Sequence, residues 1–86
     1  MDTIVLKKDS HSDLIPFTGK SKIILNSRKG MHYKITMSNS SGTKKSAYHI
    51  SKPTEIDLKK EKLPFVVSFI RFDTFTHTCK IEYSFE

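Results

Sequence analysis

From Phe75 to Phe85 every second residue is large or apolar: Phe75, His77, Cys79, Ile81, Tyr83 and Phe85. The residues between them, Thr76, Thr78, Lys80, Glu82 and Ser84, are polar. Successive strand side chains point to opposite faces, so this alternation predicts a half-buried β-strand with one dry face and one wet face. A chain of 86 residues that ends on such a strand must build its core from sheets.

The rest of the chain is punctuated accordingly. Gly19, Gly30 and Gly42 fall at intervals of eleven and twelve residues with strand-like segments between them, a spacing that marks an all-β meander or sandwich. The predicted strands are Thr3–Lys7, Leu14–Phe17, Lys20–Leu25, Met31–Ser38, Thr43–Ile50, Glu55–Leu58, Phe65–Phe72 and Phe75–Phe85. Thr18-Gly19, Asn26–Gly30 and Asn39–Gly42 supply turn residues that tolerate tight or left-handed backbone. Residues 53–62 admit two readings. They form either a strand with Ile56 and Leu58 inward, or a short helix capped by Ser51 with Pro53 in its first turn. Their apolar stripe is narrow for a helix, so strand is preferred. The predicted fold is a single all-β domain over residues 1–86, an antiparallel β-sandwich of seven to eight strands, with a small closed β-barrel as the alternative.

Two hairpins can be laid in register. With Asn39–Gly42 as a four-residue loop, Met31, Tyr33 and Ile35 face Ile50, Tyr48 and Ser46 on a core side. The other side pairs His32 with His49, Lys34 with Ala47 and Thr36 with Lys45, a wet, basic surface. With Asp73-Thr74 joining the last two strands, Phe72, Ile70, Ser68 and Val66 face Phe75, His77, Cys79 and Ile81 in the core. Phe65, Val67, Phe69 and Arg71 then lie on the opposite face. The penultimate strand is thus apolar on both sides, and its second face needs a cover, either more of this chain or a partner.

Composition narrows the function. Six Phe and three Tyr can anchor one core. No run of about 18 apolar residues is present, so no membrane span is expected. The N-terminus carries its charges after a short apolar run, unlike a secretory signal. Cys79 is alone, which excludes an intrachain disulfide, so a reducing, cytoplasmic setting is expected. The net charge of +6 favours acidic partners, but only Arg28 and Arg71 are arginines, the residue suited to bidentate phosphate and base contacts.

Motifs that could carry chemistry are incomplete. Thr18-Gly19-Lys20-Ser21 resembles the end of a phosphate-binding loop, but Leu14 stands where its first Gly is required and a strand, not a helix, follows. Asp9-Ser10-His11-Ser12-Asp13 lacks the Gly and Glu of a calcium loop and reads as a polar connection. His32 and His49 lack the further ligands a zinc site needs. His77 and Cys79 lie two apart on one strand, roughly 7 Å by strand geometry, too far for direct proton transfer. No cofactor, metal or enzymatic activity is therefore expected.

The expected function is stoichiometric binding of a protein partner, or self-association, through Phe65, Val67, Phe69 and Arg71. The alternative is a nucleic-acid- or nucleotide-binding domain using the anion-binding set His32, Lys34, Lys45 and His49. A small, Lys-rich, motif-free domain is also of the kind that phages and mobile elements encode to inhibit host components, a reading from composition alone.

Overall fold

Among the described residues eight strands form, each overlapping one predicted segment: β1 (Asp2–Leu6), β2 (Ile15–Pro16), β3 (Lys22–Asn26), β4 (Tyr33–Ser38), β5 (Lys45–Ile50), β6 (Thr54–Asp57), β7 (Phe69–Asp73) and β8 (Cys79–Phe85). The computed structural model describes residues 1–86 apart from 29, 42–44, 60–65 and 76. Among the described residues no helix is present, and the ambiguous segment enters the sheet as β6.

Two four-stranded antiparallel sheets stack as an open sandwich, not a closed barrel. Sheet A has the order β1-β8-β3-β6 and sheet B the order β2-β7-β4-β5. Among the described strands only β4 and β5 are consecutive neighbours in one sheet; each other consecutive pair lies in different sheets.

Alternation places the core between the sheets. Ile23, Leu25, Cys79 and Ile81 point inward from sheet A, and Tyr33, Ile35, Met37, Ile70 and Phe72 from sheet B. Phe72 joins the layers. Its ring meets Tyr33 at 5.9 Å and Tyr83 of the other sheet at 5.2 Å. Tyr83 continues to Phe85 at 5.4 Å, and Phe85 meets Phe17 edge-on at 5.0 Å. Such tilted and edge contacts suit the aromatic quadrupole and add to the area buried.

Three expectations change. The last two strands do not form a hairpin: β7 lies between β2 and β4, whereas β8 lies between β1 and β3 in the other sheet. The Asp73-Thr74 segment is a crossover. Thr74 is buried, its hydroxyl donates to the Lys7 carbonyl at 2.6 Å and its N–H to the Ser10 carbonyl at 2.9 Å. These bonds tie the chain to the β1–β2 loop, so Phe72 meets Tyr83 across the sandwich and Phe75 is left half exposed. The dry face of the last strand accordingly begins at Cys79. His77, expected in the core, instead sits half-buried before the strand, with its Nε2 accepting from the His32 N–H at 3.5 Å.

The third change is one of register. β4 and β5 pair with Tyr33 opposite Ile50 and Ser38 opposite Lys45, two residues from the predicted alignment. A slip of one residue would turn every side chain over, but a slip of two preserves both faces. The expected hairpin closing pair included Thr43, which lies outside the described residues.

The polar Asp9–Asp13 stretch clasps the side of β7. The Phe72 N–H donates to the Ser12 hydroxyl at 3.0 Å, and the Phe72 carbonyl accepts the Ser12 N–H at 2.8 Å. A serine side chain here completes a ladder bond where the short β2 ends.

Two glycines are required by local geometry. Gly30 has φ of 87°, a left-handed angle that closes the turn before β4. At Gly19 the constraint is space: a Cβ would lie 2.7 Å from the Glu86 carbonyl oxygen, 2.9 Å from its nitrogen and 2.9 Å from the Phe17 ring. That carbonyl accepts the N–H groups of Lys20, Ser21 and Lys22 at 2.7–2.8 Å, so it cannot move aside without breaking them. Gly19→Ala is expected to destabilise the fold by about 1–3 kcal/mol, the usual range for overpacking. Urea denaturation of the two proteins checks this; an unchanged midpoint would show that the Glu86 contact does not hold in solution.

Candidate anion-binding face of sheet B

The same alternation that buries Ile35 and Phe72 turns the other half of each strand outward. Antiparallel pairing sets these outward residues in rows across sheet B. One row runs His49, Lys34, Asp73; the next Ala47, Thr36, Arg71; the third Lys45, Ser38, Phe69 and, on β2, Pro16. The middle row is short on its β5 and β4 side. Ala47 and Thr36 therefore form a floor between longer neighbours, and a hollow of about 320 Å³ opens there. Its lining is Leu14, Lys34, Thr36, Ser38, Lys45, Ala47 and Arg71.

Three cationic side chains surround this hollow: Lys34, Lys45 and Arg71. Arg71 is partly engaged, with its Nε 3.4 Å from Asp73 Oδ2 on the same strand. Lys34 and Lys45 have no carboxylate within ion-pair distance among the described residues. The outer face of sheet A differs. Lys22 meets Glu55 at 2.7 Å, Glu82 lies 4.0 Å from Arg28 and accepts from Asn26 at 3.1 Å. Acidic residues thus offset the basic ones on sheet A, whereas the centre of sheet B keeps an excess of positive charge.

The expected site residues fall as follows. Phe69 and Arg71 of the first set lie on the outer face of sheet B, beside Ser38 and Thr36. Val67 does not: it is 6% exposed and belongs to the core, because the strand starts only at Phe69 and the chain before it turns Val67 inward and Val66 outward. Phe65 lies outside the described residues. Of the second set, Lys34, Lys45 and His49 share the outer face. His32 precedes β4 and instead lines a smaller hollow of about 110 Å³ with Tyr33, His49 and Phe75. Because β7 pairs with β4, Phe69 and Arg71 of the first set and Lys34, Lys45 and His49 of the second share one surface.

Leu14, Thr36, Ser38 and Ala47 are lining residues outside both sets expected from the sequence. The small size of Ala47 and Thr36 between lysines was the available signal for a hollow. Leu14 had none, since it reaches the face only through the pairing of β2 with β7.

The tyrosine rings of β4 and β5 are turned away from this surface, whereas Phe69 lies on it beside Ser38. Tyr33 is buried and Tyr48 packs against the core from the other side of β5. The Tyr33 hydroxyl is buried without a hydrogen-bond partner. Burial pushes its pKa well above the usual phenol range, with the Cys79 thiol adding to the shift. A buried unpaired hydroxyl is a cost that phenylalanine would not carry, so Tyr33→Phe is expected to stabilise the protein by about 1 kcal/mol at neutral pH. The gain should grow above about pH 10, where the unfolded tyrosine loses its proton and the folded one keeps it, so that stability of the parent falls as pH rises. Thermal unfolding at pH 7 and pH 10.5 measures both; a destabilised Phe variant would mean that the hydroxyl has a partner.

Cys79 is fully buried and burial raises its thiol pKa, which leaves it a core residue with no thiolate to offer. No group of three or more His, Cys, Asp or Glu side chains able to hold a metal occurs among the described residues. Nor is any helix there long and apolar enough to cross a membrane. No family model matches the chain, and no curated protein or solved structure matches it.

Proposed function

We propose that the protein is a non-catalytic binding module that docks an acidic partner protein on the outer face of sheet B. The observation that carries this reading is the placement of Lys34, Lys45 and Arg71 around a hollow floored by Thr36 and Ala47. Cations so grouped raise the local concentration of an anionic partner and orient it on approach. Among the described residues no carboxylate, imidazole or thiol lines the hollow, so its Ser38 and Thr36 hydroxyls have no carboxylate or imidazole base beside them there, which favours binding over catalysis.

Two neighbouring readings are less well supported. Proteins that bind single-stranded nucleic acid stack bases on several exposed rings; here the tyrosines of β4 and β5 face away from this surface, and Phe69, half-buried on β7, is the aromatic residue in its rows among the described residues. Self-association through the same face would bring like charges together.

Calorimetric titration with a hexaglutamate peptide, at 50 mM and 300 mM NaCl, tests the proposal. Saturable binding that weakens at the higher salt is expected, because exposed charges are screened within about 10 Å at 0.1 M. No binding to the peptide together with tight binding to a ten-residue oligothymidylate would assign the face to nucleic acid and overturn the proposal.

A further inference from the structure

The free edge of sheet B lies beside this hollow. β5 is the terminal strand of the order β2-β7-β4-β5, and no strand lies beyond it among the described residues. Which of its backbone groups face that edge follows from β7. The Phe72 N–H and carbonyl both bond toward Ser12, so the neighbouring Arg71 directs its own backbone groups to β4, opposite Thr36. In an antiparallel ladder one residue directs its N–H and C=O to the same neighbour, and the next residue directs them the other way. Thr36 therefore bonds toward β7, and its β5 partner Ala47 directs its N–H and carbonyl away from β4. The same holds for Lys45 and His49, two positions to either side. The residues whose backbone addresses the open edge are thus the residues whose side chains lie on the cationic face.

We infer that the β5 edge receives an extended acidic segment of the partner protein as an added strand. This deepens the proposed function and rests on it. Strand addition draws affinity from main-chain bonds and specificity from alternate side chains. Here both requirements coincide. A residue set beside Ala47 would project on the outer face next to the lowest part of the sheet surface, and a glutamate there would extend its carboxylate over Ala47 toward Lys34 and Lys45. The intervening residues of the segment would point the other way, beside Ser46, Tyr48 and Ile50, where the surface adjoins the core. The matching partner alternates acidic and apolar residues.

The test is amide hydrogen exchange of the full chain by NMR, with and without the peptide Glu-Val-Glu-Val-Glu-Val. Exchange at Lys45, Ala47 and His49 is expected to slow at least tenfold on binding, with Ser46 and Tyr48, already bonded to β4, unchanged. Ala47→Pro removes only an edge-facing N–H, a position where sheets tolerate proline, and should weaken the peptide at least tenfold while keeping the charges. Should that variant not fold, the exchange pattern of the parent protein decides. Peptide binding that is lost in a Lys34→Glu, Lys45→Glu variant but gives no protection at Ala47 would overturn strand addition and leave the charged face standing. Peptide binding indifferent to that charge reversal would overturn both.

Discussion

Phe72→Ala is expected to lower stability by about 3–5 kcal/mol, the range for truncating a large core aromatic. Phe72 is fully buried on β7, and it is the ring through which sheet B touches Tyr83 of sheet A. Its backbone is held independently by Ser12, so the loss should report on side-chain packing between the layers and not on strand pairing. A domain of this size has a total stability of roughly 4–13 kcal/mol, so the variant should melt far below the parent or fail to fold. Urea denaturation measures the change, with Phe72→Leu as a milder companion that keeps the domain folded. A loss below about 1 kcal/mol for the alanine variant would mean that Phe72 is not at the centre of the core.

Lys34→Glu combined with Lys45→Glu should do the opposite: leave the fold intact and remove the binding. Both side chains project from the outer face, and neither has an acidic partner among the described residues, so the substitution breaks no internal ion pair. Surface changes of this sort usually move stability by less than about 0.5 kcal/mol. Affinity for hexaglutamate should fall at least tenfold, about 1.4 kcal/mol or more, because attraction is replaced by repulsion around the hollow. The comparison variant Lys22→Glu combined with Lys80→Glu, which makes the same change in net charge on the outer face of sheet A, should bind as the parent does. Equal losses in the two variants would indicate a response to net charge, not to a site.

The elements were legible in the sequence because each strand carries its own instruction. Tyr33, Ile35 and Met37 alternate with Lys34, Thr36 and Ser38, Cys79 and Ile81 alternate with Lys80 and Glu82, and glycines close the turns, so period and punctuation agree. Neighbour choice was not legible in the same way. Phe65–Phe72 and Phe75–Phe85 looked like a hairpin because they are adjacent in the chain and both apolar. Thr74 instead bonds to the β1–β2 loop, contacts between residues far apart in sequence that no local pattern encodes. The register of β4 on β5 could slip by two residues unseen, since the faces are identical in either alignment. That invariance is why Lys34, Lys45 and His49 share a face in either alignment, whereas His32, also expected there, lies ahead of β4 and lines the smaller hollow. Joining them to Arg71 required the β4–β7 pairing, which only the folded chain supplies.

Backbone amide shifts recorded during titration with Glu-Val-Glu-Val-Glu-Val locate the binding surface residue by residue. Perturbations are expected to concentrate at Lys34, Thr36, Lys45, Ala47 and Arg71, with Ile24, Glu55 and Lys80 of sheet A unmoved. Perturbations centred on the outer face of sheet A, or spread evenly over both, would contradict a site on sheet B.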